Sequence, residues 1–236
     1  MKDNTFKQTT HRRGFIGTIA AGAAALGMAS LAPLHLHAEP LAEMATATND
    51  PETPEEWFNK INGKHRIVFD ATQPKEAFPF AWPRVFLITN EKTGTPAKDS
   101  SVVVVLRHNA IPFAFEDRVW KKYNFGKNFK IDDSTTKTAS VRNPFWKPAK
   151  GDFSIPGVGE VQIGINELQE DGVMFCVCDM AITVQSAVIA KDMKLDATEV
   201  KKDWLTGLLP GIMVVPSGVW AVGRAQEHNC AYCFVG

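Results

Sequence analysis

Cysteine is scarce in this chain, at 4 in 236 residues. A chain of that length can build its core from apolar side chains, so the small secreted scaffolds framed by disulfides are excluded. Neither sign of charge is in excess, with 26 Lys plus Arg against 26 Asp plus Glu. That balance removes the electrostatic basis for nucleic acid or an anionic membrane surface as a partner. No internal repeat is present. No G-x-G-x-x-G follows the first strand-like run, and there is no Walker loop and no G-x-S-x-G elbow, so nucleotide-binding and serine-hydrolase readings have no motif to stand on. The glycine-rich "PGVGEVQIG" follows a loop instead of a strand and reads as a turn. Also missing is an unbroken apolar run of the roughly 20 residues needed to span a bilayer. The best candidate, residues 15–34, is interrupted by Gly17, Gly22, Gly27 and Pro33, so no stable membrane anchor is expected.

That interrupted run has another use. In "HRRGFIGTIAAGAAALGMASLAPLHLHA" a basic lead ending in Arg12 and Arg13 precedes a moderately apolar, Ala/Gly-rich stretch. This is the pattern of a twin-arginine export signal, which implies the Tat export machinery as a partner and a periplasmic address. Residues 1–38 are expected to be the signal, with Ala38, Ala42 and Ala47 as alternative cleavage positions. Residues 39–56, including "EMATATNDPETPEE", lack periodicity and read as a flexible linker. A single domain is expected from residue 57 to residue 236, with 44% hydrophobic and 22% charged residues over the whole chain, ordinary for a globular protein.

Within that domain strands alternate with helices. "KHRIVFD" carries a β-branched and aromatic run, Ile67 to Phe69, ending in Asp70. "AFPFAWPRVFLITNEKTG" is apolar, with helical turns expected from Pro83. Val102 to Leu106 is apolar at every position, which only a strand covered on both faces tolerates. Phe115, Val119 and Tyr123, at i, i+4 and i+8, predict a helix with one stripe toward the sheet. Periodicity then stops from residue 125 to residue 156, a loop insertion of the kind that is functional or disordered. Its aromatics Phe129, Phe145 and Trp146 are costly to leave in water, and are expected at a subunit contact or over the strand edge. Val158, Val161, Ile165 and Leu168 predict a helix stopped at Gly172. Val173 to Cys178 reads as a strand running into a helix. The end of the chain reads as a strand at 212–215, a helix at 217–227 and a last strand at 230–235. Alternation of this kind implies a three-layer α/β sandwich with a mainly parallel sheet of about five strands. Such sheets bind ligands at the carboxyl ends of their strands.

The cysteines can be placed on that frame. Cys176 and Cys178 lie two apart on one strand and share a face, with Cys176 expected to be a buried small apolar residue. Cys178 stands at the strand's carboxyl end, just before a helix near Met180, where unpaired N–H groups and the helix dipole favour an anion. A thiolate fits there, although Asp179 opposes it and is an alternative helix cap. His108, just past the carboxyl end of the strongest strand, is expected to reach Cys178 across the same edge and support the thiolate, together with Arg107. A four-cysteine metal site is disfavoured, because the spacing lacks the turn geometry of zinc knuckles. No cofactor is implied.

Three segments, "VVVVLRHNAIPF", "GINELQEDGVMFCVCDMAI" and "LLPGIMVVPSGVWAVGRAQEHNCAYCFVG", together resemble the DsrE/DsrF-like family of sulfur-relay proteins. The resemblance covers residues 64–236, with the 125–156 loop as an addition, and its most specific part is "LPGIMVVPSGVWAVGRAQEHNCAYC". It implies a DsrE-like sandwich with flavodoxin-like layering, homo- or hetero-oligomers, and a persulfide carried on a cysteine at the position matched by Cys178. Sulfur binding or persulfide transfer with a donor or acceptor protein is the function so implied. The alternative is a non-catalytic oligomeric module that binds a small ligand or protein.

The terminal "CAYC" carries the spacing of a dithiol. On a strand, however, residues three apart point to opposite faces with Cα atoms roughly 10 Å apart, beyond the limit of about 7 Å for a disulfide. We therefore predict that Cys230 and Cys233 stay without a mutual bridge. Cys233, nearer the carboxyl edge, is then the accessory thiol beside Cys178. Non-reducing peptide mapping checks this: a Cys230–Cys233 bridge in folded protein would overturn the strand assignment.

Overall fold

The computed structural model describes residues 52–155, 157 and 159–236. The expected export signal, Arg12 and Arg13 included, lies outside the described residues. Among the described residues the first helix is α1 (Pro54–Phe58), opened by a capping box in which Thr53 accepts the Glu56 N–H and the Glu56 carboxylate accepts the Thr53 N–H. Trp57 and Phe58, on α1, are buried, at the start expected for the domain, while the first turn of α1 extends into the segment read as linker.

Five strands form the main sheet: β1 (His65–Ala71), β2 (Ser100–Leu106), β5 (Met174–Cys178), β6 (Ile212–Val215) and β7 (Ala231–Val235), after a small antiparallel ribbon of β3 (Ser154–Ile155) and β4 (Gly159–Glu160) is set aside. The order across the sheet is β6-β5-β2-β1-β7, and every neighbouring pair is parallel. The helices are α2 (Phe78–Lys92), α3 (Asp117–Lys122), α4 (Phe125–Phe129), α5 (Ile165–Glu170), α6 (Asp179–Met193), α7 (Ala197–Leu205) and α8 (Gly218–Glu227). The α/β sandwich expected from the alternation is the architecture found. Among the described residues no helix is long and apolar enough to cross a membrane.

Alternation along each strand sorts two cores. Val102, Val104, Leu106, Phe175 and Val177 face Phe80 and Leu87 of α2, Ile182 and Ile189 of α6, and Val200 and Trp204 of α7. Val68, Val103, Val105, Cys176 and Val215 face Ala221 and Ala225 of α8 and the two aromatics of α1. The first face carries almost all the helices and the second only α8 and α1. Handedness explains the asymmetry. The steps β1 to β2, β2 to β5 and β5 to β6 all run one way across the sheet, so right-handed crossovers put their helices on one face. The step from β6 back to β7 runs the other way and puts α8 on the opposite face.

Several local expectations are corrected. Helix α2 begins at Phe78, with Pro79 as its first-turn proline; Pro83 lies inside, where it forgoes a ladder bond. Phe115, Val119 and Tyr123 are all buried, but only Val119 lies within a helix. A 3-10 segment (His108–Ala114) and an extended Phe115, bridged to Leu208, precede it. The helix predicted from Val158 onward shrinks to α5, because Gly159 and Glu160 pair in the ribbon. Helix α7, absent from the sequence reading, is capped by Asp196.

Over its described residues the 125–156 segment packs on the domain instead of standing free as a loop. Phe129 and Phe145 are buried in the chain's own core, with Trp146 packed against it. The Phe145 ring lies 4.3 Å from Phe80, 5.4 Å from Phe113 and 4.9 Å from Phe153. Asn143 ties the segment down by donating to the Phe113 and Phe115 carbonyls. Gly126 allows residues 139–140 to cross α4 closely, since a Cβ there would collide with the Ser140 backbone.

Two predictions follow from this packing. Phe145→Ala should destabilise the domain by about 3–5 kcal/mol in chemical denaturation, while Val141→Ala, at a position 65% exposed, should stay within about 0.5 kcal/mol. The second concerns Asp203 on α7, which accepts from Arg118, Lys122 and the Tyr123 hydroxyl. Burial pushes its carboxyl up, but the hydrogen bonds from Tyr123, Lys122 and Arg118 outweigh this and bring it to about 2, below the ordinary 3.8. A depressed carboxylate stabilises the fold above its ordinary value and loses that contribution as pH falls through the folded-state value. The stability advantage of wild type over Asp203→Asn should be full at neutral pH and shrink as pH falls from 3.8 toward about 2. A difference that stays constant over that range would exclude the linkage.

Candidate functional site

Strand β5 delivers its chain to α6 on one face, and its neighbour β6 delivers to α8 on the other. The carboxyl ends of these two strands are therefore where the connections part, the switch point at which parallel sheets of this kind bind ligands. Cys178 ends β5 at this point, in register with Val215, the last residue of β6. Cys178 shares its face with Cys176, so it belongs to the α8 side while its chain continues into α6. The thiol is the amino-terminal cap of α6, with Sγ accepting the Ala181 N–H at 3.3 Å. The sequence left Asp179 open as the cap. Instead Asp179 is the first helical residue, and its carboxylate pairs with Lys201 of α7 at 2.9 Å. That ion pair offsets the like charge the carboxylate would set beside a thiolate. Ser217, just past the end of β6, caps α8 by accepting the Trp220 N–H.

Arg107 completes the arrangement on the next strand. Leu106 of β2 is in register with Val177 of β5, so Arg107 and Cys178, each one residue on, sit side by side and point to the same face. The guanidinium donates from Nε to Asp70 Oδ1 at 2.6 Å and from Nη2 to Asp70 Oδ2 at 2.9 Å. Its pKa is raised, chiefly by the hydrogen bond to Asp70 working against burial, with smaller contributions from the charges of Asp70, Tyr232 and Cys178.

His108 does not take the place expected of it. It is exposed and held at a φ of 54°, opening the 3-10 segment. Among the described residues its side chain makes no hydrogen bond to Cys178, whose recorded partner is the Ala181 N–H. The left-handed backbone breaks the strand alternation after Arg107, so the side chain that follows β2 onto the Cys178 face belongs to Arg107.

Cys233 is not brought to Cys178 either. Strands β2 and β1 lie between β5 and β7, a separation of roughly 14 Å at three interstrand steps. The two thiols also belong to opposite faces, since Cys233 packs on the α2 and α6 side. The same distance keeps the four cysteines from converging on one metal ion. The last strand starts at Ala231, one residue later than expected, but Cys230 just ahead of it and Cys233 within it still pack on opposite faces of the sheet, and all four cysteines are free thiols. Burial pushes Cys176 and Cys233 upward and Cys230 up to about 11, which leaves little thiolate at any of the three near neutral pH.

Two residues of the edge carry no motif in the sequence. Asp70, at the end of β1, is 2% exposed, and Tyr232 of β7 donates its hydroxyl to Asp70 Oδ2 at 2.8 Å. Both share the α8-side face with Arg107 and Cys178, so Asp70, Arg107 and Cys178 form a polar row along the carboxyl edge of β1, β2 and β5, joined by the Tyr232 hydroxyl reaching over from lower on β7. Asp at a strand end is visible in the sequence, but its pairing with Tyr232 requires β7 to lie beside β1.

The chain matches no known family profile and no curated protein. Among solved structures it is similar to the "Structure of Protein of Unknown Function MTH1491 from Methanobacterium thermoautotrophicum", at 19% identity and a TM-score of 0.33, over 72% of this chain and 99% of that one.

Proposed function

We propose that this chain carries sulfur as a persulfide on Cys178. The observation that bears most of the weight is the thiol's position: it caps the amino end of α6 at the point where the strand connections part. Helix N–H groups there stabilise negative charge, both on a thiolate and on the terminal sulfur of a persulfide. Arg107, just past the end of the neighbouring strand, adds a guanidinium whose charge is shared with Asp70.

The chemistry balances without an external oxidant. The Cys178 thiolate attacks a sulfane sulfur of a polysulfide, a new S–S bond forms, and the electron pair of the broken S–S bond leaves with the shortened polysulfide. Discharge is the reverse kind of displacement: an acceptor thiolate attacks the outer sulfur and Cys178 departs as thiolate. Only 6% of Cys178 is exposed, so small inorganic sulfur donors suit the site better than bulky ones. Export through the twin-arginine pathway to the periplasm belongs to the same proposal, and rests on Arg12 and Arg13 with the apolar stretch that follows.

A second reading, an oligomeric binding module without sulfur chemistry, draws on Met180, Val184 and Val188, which stand exposed at i, i+4 and i+8 along α6. Such a ridge on one helix face is what an assembling surface offers, and a homo-oligomer is compatible with both readings.

Intact mass spectrometry after incubation with inorganic polysulfide separates them. The expected result is a gain of one or more sulfur masses that is lost in Cys178→Ala. Labelling confined to Cys233, the most accessible of the other thiols, or no labelling at all, would leave the binding-module reading in its place.

A further inference from the structure

Asp70 is a buried carboxylate, and such a group is costly unless both its oxygens are satisfied. Here they are: Arg107 occupies one edge in a bidentate fork and the Tyr232 hydroxyl adds a third donor. The consequence falls on Arg107. With Nε and Nη2 committed to Asp70, the guanidinium plane is fixed and Nη1 is left on the side away from β1. Strand β2, which bears Arg107, has β1 on one side and β5 on the other. The side away from Asp70 is therefore the side of Cys178.

A second constraint acts from above. Gly218 opens α8 directly against Arg107, so that a Cβ added at residue 218 would stand 2.6 Å from both the Cβ and the Cδ of Arg107. The stem of Arg107 is walled by the helix and its head is locked by the carboxylate. Three strands and a helix end thus converge on the orientation of one side chain that is still 28% exposed. Simple stabilisation accounts poorly for this outlay, because a buried ion pair is weak evidence for stability.

We propose that Asp70 and Tyr232 are positioning residues that aim Arg107 at Cys178, and that Arg107 Nη1 is the contact for the anionic end of the sulfur compound that reacts there. The site is then selective for donors that carry negative charge close to the sulfur to be transferred, such as inorganic polysulfide, over neutral organic polysulfanes. This proposal rests on the persulfide reading for the identity of the substrate, but not for the geometry of the clamp.

The test uses two alkylating probes of similar size, anionic iodoacetate and neutral iodoacetamide, with the rate of modification at Cys178 followed by peptide mass mapping. The ratio of the two rates reports the anion clamp, and a general loosening of structure would move both rates together. In wild type the ratio should exceed that of a free cysteine by roughly tenfold, the size of one charge-assisted hydrogen bond. Arg107→Gln and Asp70→Asn should abolish the excess, and Arg107→Lys should recover part of it. Tyr232→Phe, at an outward-facing position on β7, spares the fold if Asp70→Asn does not, and should lower the ratio by roughly threefold. A ratio unchanged in Arg107→Gln, or lowered in Arg107→Gln but unaffected in both Asp70→Asn and Tyr232→Phe, would overturn the positioning role. Sulfur loading by inorganic polysulfide in the same variants keeps the two claims apart. Wild type that shows the ratio but takes up no sulfur refutes the persulfide reading and leaves the clamp standing, whereas loading with a flat ratio refutes the clamp alone.

Discussion

Right-handed crossovers make the direction of each strand-to-strand step decide which face of the sheet the connecting helix will cover. In this chain three steps run one way and the last returns past the starting strand, so α8 stands alone with α1 on a face that the other helices leave open. The candidate site exists because of that reversal. It parts the helices that leave β5 and β6, and it sets β7 beside β1, where Tyr232 meets Asp70. Without the return step the edge would hold a capped thiol and an arginine but no third strand to complete the carboxylate's partners.

Charge and burial then determine what the edge can do. The thiols away from the edge are pushed upward by burial, while the one at the edge has an N–H donor and a guanidinium for company. The pairing of Asp179 with Lys201 belongs to the same account, since an unpaired carboxylate at the first helical position would oppose a second anion next to it. The other side of the sheet shows the contrasting use of polar groups. The cluster around Asp203 lies toward the end of α7 and ties that helix to α3 and Tyr123.

The parts of this structure that are legible in the sequence are those set by local patterns. Strand β2 is apolar at every position from Val102 to Leu106, and the junction of β5 with α6 places Cys178 at a helix start without reference to the rest of the fold. Helix α7 was equally legible, since Asp196 caps it three residues before Glu199, with Val200 and Trp204 as its buried stripe, but a short amphipathic helix between stronger elements is easily passed over. Proline misplaced the start of α2, because Pro79 and Pro83 compete for the first turn and only packing decides between them. The 125–156 segment lacks periodicity because its aromatics are fixed by contacts with Phe80, Phe113 and Phe153, not by a repeating backbone. Cys233 and His108 were assigned from their closeness to strand ends. Strand order removes the first and a left-handed backbone the second. Asp70 and Tyr232 could not be paired beforehand, because 162 positions separate them and no local pattern states which edge the last strand joins.

The exchange of His108 for Arg107 changes the character of the site. An imidazole would make support of the thiol conditional, present when protonated and lost near neutral pH. A guanidinium keeps its charge across the whole physiological range, and the bidentate bond to Asp70 raises its pKa further. The cost is that the same carboxylate which holds Arg107 also cancels much of its charge at a distance. What remains is a short-range, directional donor: effective for an anion in contact with Nη1, and weak as a general attractor. Under the proposed chemistry a site built in this way discriminates by the placement of charge within the bound molecule more than by the charge of whatever approaches, in keeping with a thiol only 6% exposed.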